Sequence, residues 1–175
     1  MAQNKKQDIK RNIVWAALLS FAFLLQTTDG LKLQIGNINL LPVLPLLSCI
    51  CMFEKERLAC WYGLFVGLLL DVVSPSMVGY NALILLLICT FIGWISTNYL
   101  RNTLLTNLVM GSLLIFLQES LYWLFFVEFK NTAGASGIYF TGFLPTILIN
   151  ILLIVPVFFI VLHINRHFKR TESEA

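Results

Sequence analysis

Long apolar runs separated by short polar segments make up most of this 175-residue chain. A helix needs roughly 17–25 mostly apolar residues to cross the hydrocarbon core of a bilayer. Six segments reach or approach that length, so the pattern predicts six membrane-spanning helices. We expect them at residues 12–28, from about 39 to 53, 58–73, about 81–99, 102–127 and about 139–164.

Prolines distinguish the second and the sixth of these segments. Pro42 and Pro45 fall in the first turns predicted for the second, where the missing N–H is best tolerated. Pro145 and Pro156 are expected to bend or tilt the sixth, which is longer than a crossing requires. The alternative for the second segment is a re-entrant helix, which would change the number of crossings.

The composition is typical of a membrane protein. Hydrophobic residues make up 58 % of the chain and charged residues 12 %, against about a quarter charged in a soluble domain. We therefore predict one all-α integral membrane domain, with residues 1–11 as an N-terminal tail, 12–165 as a six-helix bundle and 166–175 as a C-terminal tail. The N-terminus resembles a signal peptide, but no small-x-small cleavage site follows it, so we expect it to remain as the first helix.

Basic residues orient the bundle, because cytoplasmic loops of membrane proteins carry the excess of lysine and arginine. Six crossings place both termini on one side, and ten of the 12 basic residues fall on that side. They are Lys5, Lys6, Lys10, Arg11, Lys55, Arg57, Arg101, Arg166, Lys169 and Arg170. The opposite side has Lys32 and Lys130. Both termini are therefore predicted to be cytoplasmic, and the end of the third helix is predicted to be external.

An aspartate, Asp71, lies at the end of the third apolar run, in the stretch GLFVGLLLDVVSPSMVGYNALILLL. Ionisable groups within a membrane usually face protein or water, because lipid does not solvate them. Gly63, Gly67 and Asp71 recur at four-residue spacing and share one helix face, and the two glycines allow a neighbouring backbone to approach closely. Asp71 is thus predicted at the outer end of a helix–helix seam. The simpler alternative is that it only reaches outer water from a helix end.

A turn is predicted directly after Asp71. Pro75 disfavours a helical Ser74 and ends the third helix, after which the chain turns back towards the membrane. Asn81 is expected to cap the fourth helix, whose positive N-terminal end would then lie near the Asp71 carboxylate. Asp71, Ser74, Gly79 and Asn81 are therefore predicted to tie the third helix to the start of the fourth.

A second ionisable residue, Glu119, lies within the fifth predicted helix, about 12 Å from its outer end at roughly 1.5 Å per residue. Neither lysine nor arginine occurs at a comparable depth, so hydrogen-bond donors, water or protonation must compensate for its burial. Two interpretations stay open. Glu119 either makes a hydrogen bond between helices or lies near a partner-binding surface.

The sequence offers no motif for a catalytic, cofactor or metal site. It contains no phosphate-binding loop, no Gly-x-Ser-x-Gly and no His-Glu-x-x-His. The four cysteines lie in apolar runs without a zinc spacing, and His163 and His167 are interpreted as part of a basic helix end. Topology accounts for the basic residues without nucleic-acid binding. We therefore expect no enzyme, no cofactor, no metal and no nucleic-acid partner.

The segment ERLACWYGLFVGLLLDVVSPSMVGYNALILLL, residues 56–87, resembles the rod shape-determining protein MreD family of bacteria. The family signature is Gly-Leu-x-x-Asp, two apolar residues and Ser, then a turn leading to Gly-x-Asn-Ala-Leu. The chain matches it at residues 67–74 and 79–83, and the basic N-terminus and the proline-containing second segment also agree. Pro75 departs from the pattern, because a glycine or another small residue is commoner there.

The resemblance implies a non-enzymatic scaffold of the cell-elongation complex, located in the cytoplasmic membrane and in contact with its lipids. It implies direct binding to MreC and, through MreC, association with MreB, RodA and a penicillin-binding transpeptidase in lateral peptidoglycan synthesis. The family fold is expected to resemble the six-helix S components, the substrate-binding subunits of energy-coupling-factor transporters.

That expected likeness makes a vitamin-binding S component the main rival. S components typically carry an Ala-x-x-x-Ala docking surface on their first helix, whereas this chain has Ala16 and Ser20 at that spacing. Another small membrane protein remains the third interpretation.

Overall fold

Six α-helices make up most of the part of the chain that the structure describes. The computed structural model describes residues 2–28, 34–35, 38–74, 79–100, 102–128 and 139–173. The helices are α1 Ala2–Thr27, α2 Val43–Phe53, α3 Glu56–Val73, α4 Tyr80–Asn98, α5 Leu104–Trp123 and α6 Leu144–Ser173. A π-helical turn, Leu124–Glu128, extends α5, and a second one, Tyr139–Phe143, precedes α6.

A small hairpin between α1 and α2 is the exception to an all-helical fold within the described residues. Its strands, β1 Gln34–Ile35 and β2 Ile38–Asn39, are two residues long and pair antiparallel. The sequence pattern did not predict these strands, because a pairing this short leaves no alternation of polar and apolar residues to read.

Among the described residues, four stretches of helix are long and apolar enough to cross a membrane. They are Ile9–Thr27, Tyr80–Asn98, Leu104–Phe126 and Leu144–Arg166. These correspond to the first, fourth, fifth and sixth predicted spans. Helix α3 lies where the third span was predicted, but it carries three charged residues, Glu56, Arg57 and Asp71.

Helix α2 is shorter than predicted. It begins at Val43 instead of near Asn39 and contains 11 residues, which is about 16 Å at roughly 1.5 Å per residue. The hydrocarbon core is about 30 Å thick, so this helix alone is too short to cross it. The cause is local: Pro42 disfavours a helical conformation at the residue before it, Leu41, and occupies the N-cap position itself.

The terminal helices extend beyond their predicted bounds. Helix α1 already begins at Ala2, within the segment predicted to be an N-terminal tail, and α6 continues to Ser173, within the predicted C-terminal tail. Polar ends of long helices carry no apolar pattern, so the hydrophobic periodicity that located the spans does not extend to them. Pro156 lies inside α6, as predicted.

Helix α2 lies at the centre of the bundle. Ten of its 11 residues are buried, and α1, α3, α4, α5 and α6 all contact it. The non-helical residues just before α2 are bonded to α6: the backbone N–H of Leu41 donates a hydrogen bond to Asn150 Oδ1 at 2.8 Å. The shortest predicted span is thus the core element around which the longer helices pack.

Helices α3 and α4 pack at backbone distance along the two glycines. A Cβ atom added to Gly63 would lie 2.7 Å from the carbonyl oxygen of Leu85, and one added to Gly67 would lie 2.6 Å from the backbone nitrogen of Ala82. Real Cβ atoms essentially never approach other heavy atoms within 3.0 Å. The close approach of these two helices therefore requires glycine at both positions.

Candidate functional site

The Asp71 carboxylate occupies the N-terminal end of α4. Its Oδ2 accepts hydrogen bonds from the backbone N–H groups of Gly79 at 2.9 Å and Ala82 at 3.1 Å, and its Oδ1 accepts one from Asn81 at 3.0 Å. Asp71 is 4 % exposed. Charge-assisted bonds to backbone N–H groups are strong, and a carboxylate is favoured at the positive end of a helix. The Asp71 side chain belongs to α3 but caps the N-terminus of α4, a role that an N-cap residue of the same helix ordinarily fills.

The local sequence brings the carboxylate to this position. The packing at Gly63 and Gly67 holds the two backbones together about two turns and one turn before Asp71. Ser74 is extended (φ −78°, ψ 135°) and follows the last residue of α3, whereas Gly79 has a left-handed φ of 96° and is the N-cap residue of α4. That conformation strains any residue with a Cβ, so glycine is needed there. Residues 75–78 of the predicted turn, Pro75 included, lie outside the described residues.

Asn81 does not cap α4, contrary to the prediction. It lies in the first turn of the helix, and the N-cap position is Gly79, which has no side chain to offer. The Asn81 side chain instead binds the next helix: its Oδ1 accepts a hydrogen bond from Gln118 Nε2 of α5 at 2.6 Å. The sequence could not separate these roles, because asparagine suits both a cap and a buried amide pair.

Ser74 and the aromatic residues of α5 enclose the same end of the bundle. The hydroxyl groups of Ser74 and Tyr122 are 3.4 Å apart. Tyr80, the first residue of α4, packs edge-on against Phe126, with ring centroids 4.9 Å apart. The end of α3, the start of α4 and the end of α5 therefore form one contiguous structure around Asp71.

A cavity of about 290 Å³ lies beside this structure. Its lining includes three of the predicted residues, Ser74, Asn81 and Glu119. The other four predicted residues, Asp71, Gly79, Gly63 and Gly67, are not among those that line it. No hydrogen-bond donor from the described residues contacts the Glu119 carboxylate. The inter-helix hydrogen bond considered for Glu119 is thus not formed within the described part of the protein.

The remaining lining of the cavity is largely apolar. It comprises Phe23, Gln26 and Thr27 of α1, Leu41, Val43, Leu44, Leu70, Val73, Gln118, Tyr122 and Phe143. The glutamines stand out, because the Oε1 atoms of Gln26 and Gln118 are buried without a hydrogen-bond partner in the described structure. Buried polar atoms are rarely left unpaired, so these two are exceptions within the described residues.

An ion pair that sequence reasoning missed joins α1 to the end of α2. Arg11 Nε lies 2.9 Å from Glu54 Oε1, and Trp15 Nε1 donates to the same oxygen at 3.0 Å. Glu54 is 6 % exposed. The available signal was the position of both charges at the same predicted membrane boundary. Spacing does not show that the two residues meet, because they are 43 positions apart along the chain.

The described residues contain no group of three His, Cys, Asp or Glu side chains placed to share a metal ion. Cys49, Cys51 and Cys89 are free and buried, and Cys60 is free and partly exposed. Cys49 donates a weak bond to Asn107 Oδ1 at 3.3 Å. These cysteines pack as small core side chains.

The long apolar helices and the buried short helix at their centre define a helical integral membrane protein. Comparison with protein families specifies the class further. Residues 9–168 match the family model of the rod shape-determining protein MreD, and the chain belongs to this family. Its role is therefore in rod shape determination. No curated protein and no solved structure matches the chain, so the expected likeness to S components has no support.

Proposed function

We propose that the protein is a non-enzymatic membrane scaffold of the cell-elongation complex, which binds MreC directly and MreB, RodA and a penicillin-binding transpeptidase through the assembled complex. The family match over residues 9–168 carries this proposal. A role as scaffold agrees with a bundle whose polar side chains serve to join helices: Asp71 joins α3 to α4, and Asn81 joins α4 to α5.

The proposed topology has six crossings and two cytoplasmic termini. Ten of the 12 basic residues then face the cytoplasm, which is the asymmetry expected of a bacterial membrane protein. Helix α2 completes the second crossing together with the non-helical residues before it. Irregular backbone is tolerated at membrane depth where protein surrounds it, and Leu40 is buried while the Leu41 N–H is bonded to Asn150.

A labelling experiment tests this topology. Thr28 and Tyr99 are exposed at opposite ends of the bundle. In a variant lacking the four native cysteines, a cysteine at Thr28 should react with a membrane-impermeant maleimide in intact spheroplasts, whereas one at Tyr99 should react only after lysis. The reverse pattern, or labelling of both positions from one side, would contradict the proposed orientation.

The MreC-binding surface is proposed at the outer end of the α3–α4 contact, around Asp71, Ser74, Gly79 and Asn81, with Glu119 nearby. The hydrogen bonds of Asp71 support this location. They fix the end of α3 relative to the start of α4, although the chain between these two ends is a turn. Loss of the cap would release both ends together. Gly63 and Gly67 contribute by holding the two backbones in contact.

The role in cell shape is tested by deleting the gene in its own host. Deletion should convert rods into rounded cells, and re-expression of the full chain should restore the rods. Normal rod shape after complete deletion, with no second family member expressed, would refute the proposed role.

The rival proposal, a vitamin-binding S component, rests on the cavity. Its volume of about 290 Å³ lies just below the range of small-molecule sites, which is roughly 300–1,000 Å³. The family match favours the scaffold. A tight one-to-one complex of the purified protein with a vitamin such as thiamine or riboflavin would instead favour the S component.

A further inference from the structure

We propose that a groove between α1 and α3 binds one anionic phospholipid, with its headgroup at the basic end of the groove and an acyl chain along the apolar part. The inference goes beyond the scaffold role and does not depend on it. It rests on the apolar lining of the groove, on unpaired basic side chains at both of its edges, and on an amide donor within it.

The groove has a volume of about 440 Å³, and its walls are residues 9–16 of α1 and 58–65 of α3. Seven steps at roughly 1.5 Å each make it about 10 Å long. Both helices start on the cytoplasmic side in the proposed topology, so the groove lies within the inner half of a hydrocarbon core about 30 Å thick. A partner helix would need contact along most of that thickness, which favours a lipid.

The lining of the groove is mostly apolar and open towards the membrane. Ile13 of α1 is 62 % exposed and Trp61 of α3 is 67 % exposed, and they form the outer edges of the two walls. Ala16 and Phe65 continue the walls towards the membrane centre. A side chain as large as tryptophan is typical of the membrane–water interface, where lipid headgroups meet acyl chains.

A basic residue flanks each edge of the groove at its cytoplasmic end. Lys10 precedes Ile13 by three residues and Arg57 precedes Trp61 by four, so each shares a helix face with an outer wall residue. Both basic side chains are exposed. The two edges therefore present two positive charges to a headgroup at the mouth of the groove.

The described carboxylates of this region do not neutralise these charges. Glu54 is buried and paired with Arg11. Glu56 belongs to the α3–α4 contact, because its Cα would lie 3.0 Å from a Cβ added at Gly93. Among the described side chains, Lys10 and Arg57 thus have no acidic partner.

A third donor lies inside the groove. Asn12 Oδ1 accepts a hydrogen bond from the Tyr62 hydroxyl group at 3.1 Å, and no described residue accepts one from Asn12 Nδ2. Ammonium, guanidinium and amide N–H groups all require acceptors. A phosphate group supplies acceptor oxygens and negative charge, and it suits the fork of an arginine. A phosphate carried on an acyl chain therefore complements both the polar and the apolar parts of the groove.

Native mass spectrometry of the full chain in an uncharged detergent tests the proposal, with two lipids that have the same acyl chains. Dioleoylphosphatidylglycerol should bind saturably as one molecule per chain. Dioleoylphosphatidylcholine keeps the phosphate but has no net charge, and it should bind at least about tenfold more weakly. Equal affinity for the two lipids, or uptake that never saturates, would overturn the proposal.

Charge-removing substitutions locate the headgroup. Arg57→Gln and Lys10→Gln should each weaken binding of dioleoylphosphatidylglycerol about fivefold, the effect of one basic residue on an anionic lipid. Arg166→Gln is the matched control, because it removes an exposed arginine on the same predicted side that does not line the groove. It should change affinity less than about twofold. Equal losses in all three variants would indicate unspecific attraction and contradict the site.

A substitution without a change of charge tests the acyl-chain part. Ala16→Leu fills the inner end of the groove and should weaken binding roughly tenfold, the effect of losing about two buried methylene groups. Unchanged affinity in a folded Ala16→Leu protein would contradict the proposed position of the chain.

Photo-crosslinking in the native membrane identifies the class of occupant. A benzophenone amino acid at position 13 should yield mainly phospholipid adducts. A protein adduct as the main product would assign the groove to a partner helix and overturn the proposal. Failure of dioleoylphosphatidylglycerol to bind refutes the site and leaves the scaffold role unaffected.

Discussion

Oδ2 of Asp71 lies 3.1 Å from the backbone nitrogen of Ala82, the residue whose backbone also lies against Gly67. The carboxylate and the glycine therefore act on the same turn of α4. The Asp71 carboxylate accepts hydrogen bonds from the N–H groups of this turn, and Gly67, which has no side chain, lets the backbone of α4 come close to α3. The junction depends on both, and each can be tested separately.

Replacing Asp71 by alanine should destabilise the protein by about 3 kcal/mol, because three backbone N–H groups, those of Asn81 and Ala82 buried and that of Gly79 partly buried, lose a charged acceptor. Asp71→Asn should cost less, since its amide oxygen can still accept part of this bonding. The measurement is the free energy of unfolding by SDS in mixed micelles. Equal stability of the wild type and Asp71→Ala would show that the cap contributes nothing.

Gly67→Ala should destabilise the bundle by roughly 1–3 kcal/mol, the usual cost of overpacking a close contact. The new methyl group would collide with the backbone of Ala82, which can move only if α4 moves. Gly142→Ala is the matched control, because a Cβ there meets nothing within 4 Å. The same SDS titration compares the two variants, and a Gly67→Ala protein as stable as the control would refute the close packing.

The pair Arg11–Glu54 should show positive coupling in a double-mutant cycle. Arg11→Leu leaves the buried Glu54 carboxylate without its cation and should cost about 2 kcal/mol or more, whereas Arg11→Leu combined with Glu54→Leu should recover part of that loss. Arg57→Leu, which removes an exposed arginine nearby, serves as the control for lost charge alone. Additive effects of the two single substitutions would mean that the ion pair does not stabilise the α1–α2 contact.

Most helices could be predicted from the sequence because each one reads as an apolar run between polar segments. The approach of Asp71 to the start of α4 could also be predicted, since Asp71 and Gly79 are eight residues apart along the chain and a tight turn leaves few arrangements. The burial of α2 at the centre of the bundle could not be predicted. Its burial at the centre depends on its neighbours, and an apolar run looks the same whether it faces lipid or protein.

The long-range polar pairs could not be predicted from spacing. Asn81 and Gln118 are 37 residues apart, and Leu41 and Asn150 are 109 residues apart. Each pair forms because the packing of apolar faces brings two helices together at one height. Residue type shows that a buried amide needs a partner, but only the assembled bundle determines which one it finds.

The most direct test of the proposed MreC-binding surface is to measure how much MreC co-purifies with variants altered along the α3–α4 contact. Gly93→Ala disturbs the same α3–α4 contact at its other end, where a Cβ would lie 2.8 Å from Ala59 Cβ. We expect tagged Asp71→Ala and Gly67→Ala proteins, at equal membrane levels, to co-purify less than about a tenth of the MreC held by the wild type, and Gly93→Ala to retain most of it. Full capture by Asp71→Ala, or equal loss in Gly93→Ala, would contradict a binding surface at the Asp71 end.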